Sequence, residues 1–146
     1  MKHRLALPVV LLLLVSLAAA APDSGKSVVT PQSAVKWSPA GIPGVSIAPV
    51  EGDPAKGPAH FFLKYGPGLV TPAHHHSPDH YVTVVSGTLT LTVDGKENRL
   101  GPGSFFALVG QKPHVARVEG QEPAVMLVDA SGAWDVVPEA TQEAKK

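Results

Sequence analysis

The sequence predicts an all-β chain, a single antiparallel sandwich or barrel, and three observations carry that expectation. From Ala59 onward, short runs rich in Val, Thr, Leu and aromatic residues recur every 8 to 12 residues or about that, each closed by Gly, Pro or Asp. Alternation is explicit in Thr88-Leu89-Thr90-Leu91-Thr92-Val93, which puts Leu89, Leu91 and Val93 inward and the threonines outward. No window beyond residue 20 carries a helical period of useful length, and Pro39, Pro43, Pro49, Pro54 and Pro58 exclude helix around residues 40–58. No internal repeat is visible, and 146 residues suit one domain.

Taken in order, the chain opens with Met1-Lys2-His3-Arg4, a basic start, followed by an apolar run from Leu5 to Leu17. Ala18-Ala19-Ala20 then gives the small-x-small pattern of a signal-peptidase site. Residues 1–20 are therefore expected to be a signal peptide, cleaved after Ala20, and the mature protein to be exported, periplasmic or secreted. The apolar run is short for a membrane span of about 20 residues, so no stable membrane insertion is expected after cleavage. The general export route is expected, since no Arg-Arg pair occurs. The chain has no cysteine, which excludes both a lipid anchor on Cys and a disulfide staple.

Residues 21–36 carry Ser, Thr and Pro without periodicity and are expected to be a linker, with the folded domain spanning 37–138 from Trp37. Strands are expected at Val45 to Ile47, His60 to Tyr65, the histidine run, Tyr81 to Val85, Thr88 to Val93, Lys96 to Leu100, Ser104 to Val109, His114 to Val118 and Ala124 to Asp129. Asp94-Gly95 is the strongest hairpin signal, because both residues tolerate positive φ. Trp134 to Val137 adds an expected edge strand, and residues 139–146 a polar tail. Removing Lys2 and Arg4 with the leader takes 12 basic residues to 10 against 12 acidic, a net charge near −2. With no basic tract, nucleic acid is not an expected partner.

Chemistry is concentrated in Gly68 to Gly87, GLVTPAHHHSPDHYVTVVSG, which holds four of the seven histidines. On a strand, His74 and His76 share one face and His75 takes the other. Ser77-Pro78-Asp79 breaks that strand, and His80 opens the next. A ligand pair at i and i+2 with a third beyond a tight turn can converge on one point, and neutral imidazole is a ready metal donor. The bland alternative is a solvated His-rich loop. A purification tag does not fit a mid-chain position between strands. Further on, His114 opens a strand after Gly-x-x-Pro, much as Pro72-Ala73 introduces His74.

These residues resemble the cupin superfamily, whose first motif is G-x5-H-x-H-x3-E-x6-G. Gly68, His74, His76, His80 and Gly87 match it position by position, with His80 in place of the usual glutamate. The second motif resembles Gly101-Pro102-Gly103 and Gly110 to His114, with a loop one residue longer and Val118 where asparagine is usual. The resemblance implies a jelly-roll β-barrel and a metal held by His74, His76, His80 and His114. It is similar to a subset of small bacterial cupins with four histidine ligands, often on manganese, and implies a homodimer. A neutral fourth imidazole leaves the site near 2+ and more Lewis-acidic than a glutamate would. Imidazole donors also suit iron, copper, nickel and zinc.

The expected function is an exported metal-dependent oxidoreductase, a dioxygenase acting on a small organic molecule, with no catalytic residue apart from the metal ligands. Two alternatives stand beside it: a non-catalytic cupin that binds or senses a metal or small ligand, and a metal-dependent isomerase or lyase. Either Phe61, Leu63 and Tyr65 or His60, Phe62 and Lys64 line the cavity. Phe106 and Leu108 are expected in its wall, Met126 in the core, and Tyr81, His60 and Arg117 away from the metal.

Overall fold

The β-prone runs separated by Gly and Pro become a succession of short strands. The computed structural model describes residues 27–140. The expected signal peptide 1–20, the first part of the expected linker and the end of the polar tail lie outside the described residues. A 3-10 turn spans Gln32–Ala34, and the strands are β1 (Ser38–Pro39), β2 (Val45–Gly52), β3 (Ala59–Tyr65), β4 (His74–His75), β5 (His80–Ser86), β6 (Leu89–Val93), β7 (Lys96–Leu100), β8 (Phe105–Leu108), β9 (His114–Val118), β10 (Ala124–Ala130) and β11 (Val137–Pro138). There is no α-helix among the described residues, hence none long and apolar enough to cross a membrane.

The strands form two antiparallel sheets, β1-β2-β3-β10-β5-β8 and β11-β4-β9-β6-β7, packed face to face as a jelly roll. The expected barrel is thus closed by side chains between two layers and not by one continuous hydrogen-bonded ladder. Alternation aims Phe61, Leu63 and Tyr65 of β3 inward with Val82 and Val84 of β5 and Met126 and Val128 of β10; Leu89, Leu91, Ala116 and Val118 meet them from the other sheet. Phe61, Leu89, Val84 and Val128 are the largest fully buried side chains.

Two local expectations are corrected. Thr90 keeps the outward face, between its cross-strand partners Arg99 and Arg117, but is buried there. Strand β2 runs well past Ile47, through Pro49. Its partner β1 reaches no further than Ser38 opposite Ile47, so Pro49 forgoes no ladder bond on that side, and a register shift between Pro49 and Glu51 absorbs the irregularity.

The turns that set the register behave as their residues require. Asp94 and Gly95 take φ of 53° and 71°, both left-handed, and join β6 to β7 in register from Val93↔Lys96 to Leu89↔Leu100. Gly87, which ends the first motif, has φ of 73°, and a Cβ there would lie 2.2 Å from the Pro123 carbonyl oxygen. That close approach is where β5 leaves the six-stranded sheet and the chain turns into β6. Between β4 and β5 the chain also changes sheet, over Ser77-Pro78-Asp79, so histidines on either side of that turn face each other across the mouth of the sandwich.

Candidate metal centre

Three strands deliver the histidines. His74 on β4 and His114 on β9 are direct cross-strand partners, with ring centroids 4.3 Å apart. His76 follows β4 on the face of His74, its ring 5.0 Å from that of His74 and 5.3 Å from that of His114. His80 enters from the opposite sheet at the start of β5, 4.8 Å from His76 and 5.9 Å from His114. All four are buried, whereas His75 is turned away and is bonded through Nδ1 to Glu139 Oε1 at 2.6 Å.

The backbone decides which nitrogen each ring offers. Nδ1 donates to Pro72 O in His74 (2.8 Å), to Pro78 O in His80 (3.3 Å) and to Lys112 O in His114 (2.9 Å); in His76 it donates to Asp135 O. A carbonyl only accepts, so Nδ1 carries the proton and Nε2 keeps its lone pair. Holding the tautomer through the other ring nitrogen is the usual arrangement around a metal-binding imidazole. Desolvation lowers all four ring pKa values, His76 to about 3 and His114 to about 4. The carbonyl bonds oppose that shift, and repulsion between neighbouring rings adds to it.

The result is a set of neutral donors aimed at common ground. One ligand nitrogen from each of His74, His76 and His114 lies within 4.8 Å of the others, so these three could hold a metal ion. His80 stands outside that tightest group, at its edge. The residues therefore fit a divalent ion on donor chemistry, tautomer and spacing together.

Trp134 is the residue that sequence reasoning missed. It reads as part of an edge strand, yet only Val137–Pro138 pairs, with β4, and Trp134 instead stacks on His76 at 3.8 Å and 22°. It also meets His80 and Phe61 edge-on, at 5.1 Å and 5.2 Å. The strap that carries it is tied down by Trp134 N to Pro54 O (2.7 Å), Ser131 N to Asp79 O (3.0 Å) and Glu139 N to Ala73 O (2.9 Å). The Asp135 carboxylate accepts from the Ser77 amide at 2.7 Å and the Ser77 hydroxyl at 2.5 Å. The single sequence signal of Trp134 is a large aromatic soon after the Ser131-Gly132 turn, near the end of the domain.

Two cavities meet at the rings. A void of about 20 Å³ reaches into the core past His76, His80 and His114, and a groove of about 730 Å³ opens outside along His74, His76 and Trp134. Phe106 and Met126 line the inner void, and the inward face of β3 contributes Leu63 and Tyr65 to both cavities. His60 is exposed on the outer face, 3.9 Å from Glu51 and 3.8 Å from Asp129. Tyr81 is likewise exposed, and Arg117 pairs on the surface with Glu97 and Glu119.

Comparison with known proteins agrees with this architecture. The family model described as Cupin domain matches residues 61–128. The polyketide cyclase RemF from Streptomyces resistomycificus is similar at 21% identity and a TM-score of 0.68, over 81% of this chain and 89% of that one. An RmlC-like cupin from Shewanella frigidimarina follows at 17% identity and 0.60, over 71% and 89%. A cupin-superfamily sugar phosphate isomerase from Silicibacter pomeroyi shares 21% identity at 0.57, over 70% and 74%. At such identities the likeness concerns the fold. No curated protein sequence matches the chain. Residues 61–128 thus match the Cupin domain model, on a jelly roll of the kind these structures share.

Proposed function

We propose that this chain is an exported metal-dependent oxidoreductase of the dioxygenase kind, holding one divalent ion on His74, His76, His80 and His114 and acting on a small organic molecule. The observation that carries the reading is the pair of unlike cavities meeting at the histidines. The inner void, about 20 Å³, is walled mainly by aliphatic side chains such as Val82, Leu91, Met126 and Val128. It has room beside the histidines for one molecule about the size of water or dioxygen. The outer groove, about 730 Å³, falls within the size range of small-molecule sites, and His76 borders both spaces.

A divalent ion supplies Lewis acidity toward a substrate oxygen and, where redox-active, a path for electrons to dioxygen. The four rings hold it as neutral donors, so none of its charge is cancelled by a ligand. Trp134 presses His76 into place and keeps bulk water from the rings. Manganese is the ion assigned by resemblance, although this donor set alone also suits iron, copper, nickel and zinc. The basic, apolar and small-residue succession of residues 1–20 supports export.

A second reading, non-redox isomerase, lyase or cyclase chemistry, draws on Tyr65. Burial raises its phenol to about 12, so a protonated group lines both cavities. The sugar phosphate isomerase and polyketide cyclase among the similar structures are named for such reactions. The test is metal analysis of protein purified from its own compartment, followed by oxygen-electrode assays over small diketones, phenols and alkenes. The proposal expects oxygen uptake that needs both metal and substrate. Turnover without oxygen uptake selects the Lewis-acid reading, and a tightly metallated chain inert to the whole panel selects a binding protein.

A further inference from the structure

Two open sheets have four edges, and three of these are blunted. Strands β1 and β11 are two residues long, and each ends in proline. Strand β7 carries Lys96, Glu97 and Arg99. Short length, proline and charge are the usual means by which an edge is kept from pairing with another chain. Strand β8 is the exception. It is twice as long as β1 or β11, has neither charge nor proline, and reads Phe-Phe-Ala-Leu.

The face beside that edge is uncharged as well. Outward side chains on β5 and β8 are Tyr81, Thr83, Val85, Phe105 and Ala107, with Val109 just beyond. Tyr81 is 42% exposed, Val85 48%, Phe105 61% and Val109 55%. Hydrogen bonds to β5 decide which backbone groups of β8 are left over. Val84 N donates to Ser104 O at 2.9 Å, and Gly110 N donates to Asp79 Oδ1 at 2.8 Å. Antiparallel ladders alternate, so Phe106 and Leu108, in step with Ser104 and Gly110, turn their amides and carbonyls toward β5. Phe105, Ala107 and Val109 turn theirs to the open edge, where nothing among the described residues pairs with them.

We propose that β8 is the seam of a homodimer, pairing antiparallel with β8 of a second copy about a two-fold axis at Ala107 and joining the two six-stranded sheets edge to edge. A two-fold axis makes such an edge its own complement, and no charge on β5 or β8 of this face repels the copy. Centring the seam on Ala107 sets exposed Phe105 opposite the partner's Val109 and pairs the leftover backbone groups of both strands. Tyr81 lies opposite Ala107 on β5, so the row across the seam runs tyrosine, alanine, alanine, tyrosine. The small pair at the axis leaves room for the rings beside it. None of this depends on the metal.

Sedimentation velocity of the chain purified from its own compartment, from nanomolar to near-millimolar concentration, is the test. A concentration-dependent dimer is expected. Ala107→Lys and Ala107→Glu, at a position exposed in the single chain, are each expected to weaken it at least about tenfold, because like charges then meet across the axis. Mixing the two variants is expected to restore the dimer as a mixed pair. A native chain that stays monomeric throughout overturns the proposal, and so does a dimer that both charged variants leave intact. Loss in each variant with no recovery in the mixture also overturns it, since the axis then lies elsewhere. Should the charged variants melt below the assay temperature, Ala107→Cys decides, for the chain has no cysteine of its own. Opposed Cα atoms about 5.5 Å apart are within disulfide reach, so this variant is expected to oxidise to a crosslinked dimer far faster than Val70→Cys, an exposed position beside Arg117. Equal rates overturn the seam.

Discussion

At the residue scale, the site depends on imidazoles kept neutral by burial and oriented by carbonyls. Such rings have folded-state pKa values below their usual 6.5, with His76 at about 3 and His114 at about 4. The unfolded chain therefore binds more protons in acid, and stability present above pH 6.5 is lost as the pH falls toward 4. Thermal melts of the chelated protein across that window are expected to show a steady fall in Tm; a flat profile would mean the rings are not held neutral. His80 is the ligand that departs from the common motif. His80→Glu is expected to retain metal while changing reactivity, because a carboxylate cancels one unit of the ion's charge. Parallel metal-affinity and turnover measurements check this, and an unchanged turnover profile would remove the charge argument.

At the element scale, two devices position these rings: the glycine turn after β5 and the C-terminal strap. Gly87 and Gly95 share a left-handed φ near 70°, but a Cβ at Gly87 meets Pro123 O at 2.2 Å and one at Gly95 meets nothing within 4 Å. Gly95→Ala should cost about 1–2 kcal/mol, the usual penalty of that conformation. Gly87→Ala should cost clearly more, since backbone must also move. Paired urea melts separate them, and equal costs would contradict the close approach. The strap supplies the Asp135 carbonyl to His76, pairs β11 with β4 and lays Trp134 on the ring. Ending the chain after Ala130 should lower metal affinity roughly 10- to 100-fold, the usual cost of losing support behind a ligand. Chelator competition measures it, provided far-UV circular dichroism still reports the sheets.

At the scale of the whole molecule, what the sequence disclosed and what it withheld divide along contact range. Motif spacing named four histidines, parity separated His75 from its neighbours, and Asp94-Gly95 announced its hairpin, because each is a local property. Trp134 over His76, Glu139 on His75 and Arg117 beside Thr90 join distant segments, and no local pattern signals them. The face of β3 that looks inward was equally hidden, since Phe61-Leu63-Tyr65 and His60-Phe62-Lys64 are both plausible walls until the opposite sheet packs against one of them.

The same long-range folding brings His80 from one sheet to the cluster on the other, and the account depends most on that junction. A crystal structure of the metal-loaded chain, with anomalous scattering to locate the ion, tests it most directly. One ion bonded to Nε2 of His74, His76, His80 and His114, at about 2.0–2.2 Å, is the predicted result. An ion on three rings with His80 turned away, or density elsewhere in the molecule, would contradict it.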